Sequence, residues 1–205
     1  MARILLMIGL IFCATVSPRA SVDARQLSIL IVDGINNHDW QAATKGVTRI
    51  LTATNRFKIE VTTTPAREAA KEAWENWRPQ FSKYDAVLVN FNGGHKEDGL
   101  RWPAELEQAL EKYVRGGGGL IVLHAANNAF LNWPAWNEMI GLGWRDKSFG
   151  PGLVIDDAGQ VVTVPAGSGL NLGHGPRHDF KLCVRPKSHA IVKDFLPAGS
   201  TLLNN

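Results

Sequence analysis

Cysteine is almost missing from this chain of 205 residues, with Cys13 and Cys183 as the two examples. Cys13 falls in a segment expected to be removed, so the mature chain has no internal disulfide and its core must carry stability alone. Cys183 lies on the polar side of an expected strand and reads as an inert thiol rather than a nucleophile. Long basic runs are absent too. Lys and Arg alternate with Asp and Glu, and the formal net charge is only +3, which argues against a nucleic-acid footprint. No Gly-x-Ser-x-Gly elbow occurs. Gly116 to Gly119 precedes a strand and lacks Gly-Lys-Ser/Thr, so it is no phosphate loop. No internal repeat or interdomain linker is visible. With 45% hydrophobic and 20% charged residues, the composition is that of one soluble globular domain.

The beginning of the chain reads as a leader. Arg3 supplies positive charge, and Ile4 to Val16 is apolar but too short to span a bilayer comfortably. Val22-Asp23-Ala24 offers a cleavage site after Ala24. Residues 1–24 are therefore expected to be a secretory signal peptide, and 25–205 a periplasmic or extracellular domain without stable membrane insertion. Phe12 is too large for the position before a lipidated cysteine.

Leu27 to Val32 is an apolar run expected of a central parallel strand. Asp39 suits a helix cap, and Trp40, Ala43, Val47, Ile50 and Leu51 follow at helical spacing. Phe57 to Thr62 alternates and predicts a half-buried strand towards an edge. A weak helical patch runs from Glu68 to Trp77, and Tyr84 to Asn90 is a third strand. Pro103 opens a helix with the stripe Leu106, Ala109, Leu110, Tyr113 and Val114, ended by Gly116. Leu120 to Leu123 reads as a fourth strand buried on both faces, followed by a short helix over Asn132 to Ile140. This order predicts a doubly wound, mostly parallel α/β sheet. Gly152–Ile155 and Gln160–Val164 form a hairpin pattern, and Phe180 to Val184 alternates as a last strand. Both are expected to extend the sheet at one edge or to form a flap. The chain stops at Leu203-Asn204-Asn205 with no closing element, which reads as a truncated C-terminus.

The histidines punctuate this pattern. His38 follows the first strand, His95 the third and His124 the fourth. In an open parallel sheet these loops share one edge, where ligands bind. His174 and His178 lie in a later glycine-rich loop and His189 beyond it. Histidine as a residue type titrates near neutral pH, so two imidazoles can act as base and acid in one turnover. Asn36, Asn37, Asn92, Asn127 and Asn128 accompany them, and amides both donate to and accept from sugar hydroxyls. Of Trp40, Trp102, Trp133 and Trp136, one exposed indole beside the loops would suit a sugar ring. The expected acid/base residues are His124, His38 and His178, with Asp33, Asn37, His95, Asn127, Asn128 and His174 around the substrate. No cofactor is expected, and histidine chemistry leaves a divalent metal open. Gly175 and Pro176 forbid a zinc-protease helix between His174 and His178.

Three stretches carry a resemblance: Asp33-Gly-x-Asn-Asn-His-Asp-Trp40, Tyr113-Val-x-x-Gly-Gly-Gly-x-x-x-x-His124-Ala-Ala, and Gly173-His-Gly-x-x-His178-x-Phe with His189. Together they resemble the ThuA-like (trehalose utilisation) family of the class I glutamine amidotransferase-like superfamily. The resemblance implies a flavodoxin-like sheet, a small-molecule carbohydrate partner and carbohydrate catabolism, on oxidised (3-keto) sugars or disaccharides. Where amidotransferases place a nucleophilic cysteine, this chain has His124-Ala125-Ala126, so glutamine hydrolysis is not expected and an isomerase, lyase or hydrolase is. The competing expectations are a non-catalytic carbohydrate-binding module and a metal-dependent hydrolase using His38, His124 and His178.

Overall fold

The computed structural model describes residues 25–94, 96, 98–169, 171–176, 178–183 and 201–204. The chain divides after Gly143 into two compact units.

The first unit is built on four parallel strands: β1 (Leu27–Asp33), β2 (Phe57–Thr63), β3 (Ala86–Asn90) and β4 (Gly119–Val122). Their order is β2-β1-β3-β4. Side chains alternate between the sheet's faces. Ile29, Ile31 and Leu88 pack with Val47 and Leu51 of α1 (Trp40–Thr52). A short α2 (Lys71–Asn76) follows β2. Leu30, Val32, Val87 and Val89 pack on the other side with Leu106 and Leu110 of α3 (Ala104–Arg115) and Trp136 of α4 (Pro134–Ile140). Both faces of β1 and β3 are covered, which is why those strands read as unbroken apolar runs.

Local signals mostly hold. Asp39 caps α1 by accepting from the Ala42 backbone N–H at 2.9 Å. Gly118 is fixed by close approach, because a Cβ there would lie 2.3 Å from the Tyr113 ring. Two expectations shift. Ile50 is 65% exposed, and Thr44 takes the buried position on α1. The Thr44 hydroxyl accepts from Asn90 Nδ2 at 3.1 Å, which turns that face of the helix inward. The apolar run of the fourth strand predicts burial on both faces, yet Ile121 is 43% exposed. β4 is an edge strand, and α1 lies over β1, β2 and β3 instead.

The second unit holds β5 (Gly152–Ile155) and β6 (Val161–Val164), paired antiparallel around the turn at Asp156. β7 (Phe180–Cys183) pairs antiparallel with β8 (Thr201–Asn204). Among the described residues these are two separate two-stranded sheets, and neither the hairpin nor β7 is hydrogen-bonded to the parallel sheet. β8 has no counterpart among the expected elements, because Thr-Leu-Leu-Asn is too short to show a period. The proposed leader and His189 lie outside the described residues. No helix among the described residues is long and apolar enough to cross a membrane.

Candidate functional site at the carboxyl rim of the sheet

Parallel strands deliver their carboxyl ends to one rim, and the strand order reverses between β1 and β3, where such sheets bind ligands. The loop after β1 carries Asn36, Asn37 and His38. The segment after β3 carries Asn92. The 3₁₀ turn after β4, His124–Asn128, carries His124, Asn127 and Asn128. Topology therefore brings the loops together, and side-chain bonds set their spacing.

The rings of His38 and His124 lie with centroids 4.7 Å apart, tilted by 51°. Both residues are exposed. His124 has φ +46°, in the left-handed region that non-glycine residues rarely occupy. Such conformations cost energy and collect at functional sites. Asn127 and Asn128 are half-buried on the same turn.

Asparagines organise the surroundings. Asn92 is 2% exposed. Its Nδ2 donates to Ala125 O at 2.9 Å and to Asn37 Oδ1 at 3.3 Å, and its Oδ1 accepts from Gly94 N–H at 2.7 Å. Asn90, also buried, donates to Trp40 O at 3.1 Å as well as to Thr44. Asn36 Oδ1 accepts from the His38 N–H at 3.0 Å. Asn90 and Asn92 thus spend their amides on the scaffold, whereas Asn37 remains exposed. By residue type Asn92 groups with the amides expected to face a sugar. Its position just past an apolar, two-faced strand is the sequence's sign of burial.

Asp33 is buried, and its Oδ1 accepts from the Thr63 hydroxyl at 2.7 Å, tying β1 to β2. Beyond it, a groove of about 420 Å³ opens between the ends of these strands, lined by Ile35, Trp40, Thr64, Arg67 and Glu68 among others. Gly34 forms part of it with φ +135°, and a Cβ there would lie 2.0 Å from Thr64 Oγ1. Arg67 Nη2 donates to Gly93 O and ties the loop after β2 to the loop after β3. Trp40 is half-buried. Trp102, Trp133 and Trp136 are core residues, at most 3% exposed, so of the tryptophans expected near these loops Trp40 is the one open to a ligand.

His174 and His178 belong to the second unit and are exposed. The His174 ring lies 6.3 Å from that of Trp144, and His178 Nδ1 donates to Asp179 O at 2.7 Å. His95 lies outside the described residues. Among the described residues, no group of three or more His, Cys, Asp or Glu side chains is arranged to hold a metal ion.

An open, doubly wound α/β sheet of parallel strands defines a flavodoxin-like fold, and paired imidazoles lie at its carboxyl rim. A family model described as ThuA, trehalose utilisation, matches residues 28–198. The chain belongs to the ThuA family. It is similar to the crystal structure of a ThuA-like protein from Parabacteroides merdae, at 30% identity and a TM-score of 0.73, over 84% of this chain and 59% of that one. A ThuA-like protein from Bacteroides uniformis aligns at 14% identity and a TM-score of 0.49, over 91% of this chain and 61% of the other. The chain therefore spans about three fifths of the length of each. Comparison with curated proteins gave no match.

Proposed function

We propose that this protein is an exported enzyme of carbohydrate catabolism that moves protons beside a carbonyl of an oxidised sugar, with His124 and His38 as the acid/base pair. The observation that carries this reading is the 4.7 Å approach of the two rings at the rim. Two imidazoles at that separation can reach adjacent carbons of one substrate, one removing a proton while the other delivers one to the carbonyl oxygen. Family membership supports sugar as the substrate class. The groove beside β1 and β2 offers space and a half-buried indole for a sugar ring. Asn37, Asn127 and Asn128 would bind hydroxyls in this reading, and no resident cofactor is invoked.

The test is a panel of 3-keto and unoxidised hexoses and disaccharides offered to purified protein. Turnover of an oxidised sugar is expected, and His124→Ala should abolish it while circular dichroism stays unchanged. Full activity of that variant would remove the reading. A binding module would instead keep its sugar affinity in His124→Ala and lose it in Trp40→Ala. Export is tested by sequencing the mature N-terminus, expected after Ala24.

A further inference from the structure

We infer that Asn92 is a positioning residue that clamps the His38 loop to the His124 turn and sets the distance between the two rings. The importance of that distance rests on the acid/base reading above; the clamp itself rests on geometry alone. Asn92 sits just past β3, between β1 and β4 in the sheet. Its backbone N–H donates to Ile35 O at 2.9 Å, at the root of the His38 loop. Both hydrogens of its amide are spent, one on Ala125 O and one on Asn37 Oδ1. Ala125 is the sequence neighbour of His124, and Asn37 of His38. One planar amide thus joins the backbone beside His124 to the side chain of the residue before His38. The Gly94 N–H, donating to Asn92 Oδ1 at 2.7 Å, fixes which way the amide faces. A second point of attachment holds the loop over β3: Asn36 receives the His38 N–H and reaches Asn90 O and Oδ1, both at 3.4 Å. Asn92 adds the link across to β4.

Aspartate has the same shape as asparagine but no hydrogens to donate when ionised. In Asn92→Asp, a carboxylate oxygen would face Ala125 O and Asn37 Oδ1, both acceptors. The variant therefore breaks both links with little change in packing volume. Burying a carboxylate there costs solvation energy whatever the amide does, so the contact between the rings, and not stability, is the readout.

The experiment uses the full chain with selectively labelled histidine and no sugar. In the wild type, a nuclear Overhauser cross-peak is expected between imidazole protons of His38 and His124. Asn92→Asp should reduce it to background while the core indole signals of Trp136 keep their shifts. Asn37→Ala, at an exposed position, removes one bond and should cause partial loss with an unchanged melting temperature, which serves if Asn92→Asp does not fold. A wild-type cross-peak in either folded variant overturns the clamp, as does its absence from the wild type. A lower melting temperature with the cross-peak intact would make Asn92 merely structural and overturn it too. Sugar turnover is not read, so a failed clamp and a failed enzyme reading are told apart.

Discussion

His38 and His124 come from loops after different strands, yet their rings lie 4.7 Å apart, and the backbone of His124 adopts φ +46° to place its ring there. The two facts belong together. Left-handed backbone at a β-carbon-bearing residue costs about 1 kcal/mol. The site therefore holds its second imidazole against a local preference.

His124→Gly should then raise stability by about 1 kcal/mol while removing the imidazole. The expected result is a melting temperature above that of wild type, with no sugar turnover. His124→Ala keeps the strained backbone and should not gain stability. Thermal unfolding of the two variants side by side checks the difference; equal melting temperatures would mean that no strain is stored there.

Gly34 is expected to be intolerant of any side chain. Its φ of +135° and the 2.0 Å approach of a Cβ to Thr64 Oγ1 act in the same direction. Gly34→Ala should cost about 2–4 kcal/mol. Urea unfolding midpoints measure this directly.

The strands' other end should govern acid stability. Arg25 donates to both carboxylate oxygens of Asp85 at 2.8 and 2.6 Å, and Ser28 adds its N–H and hydroxyl at 2.7 and 2.9 Å. The Arg25 guanidinium first, then Ser28, holds the Asp85 carboxyl well below its ordinary 3.8. A carboxyl with a lowered folded pKa contributes stability above its unfolded value and loses it as pH falls through the folded one. Asp85→Asn should therefore melt below wild type near neutral pH. The gap should close as pH falls from about 4 downwards. A gap independent of pH would contradict the ionised latch.

Much of this architecture is legible in the amino-acid sequence. Leu27 to Val32 announces a central strand and Tyr84 to Asn90 a further one because both faces of those strands are covered, and Asp39 announces the start of α1. The rim position of His38 and His124 follows from parallel topology. The contact between them does not, because it depends on loop paths set by buried amides that no periodicity records. Ile50 misleads because the Thr44–Asn90 hydrogen bond turns another face of α1 inward, and Leu120–Leu123 because an apolar run does not say how far the neighbouring layer extends. Thr201–Asn204 is silent because so short a strand holds no readable period.

The central claim, that His38 and His124 act as one unit on a sugar, is tested most directly by a double-mutant cycle on turnover of an oxidised sugar. Groups that work in the same step are strongly non-additive. His38→Ala, His124→Ala and the double variant should each lose activity, and the double should be little worse than the more damaging single. Losses that simply multiply, or full turnover in either single variant, would contradict it.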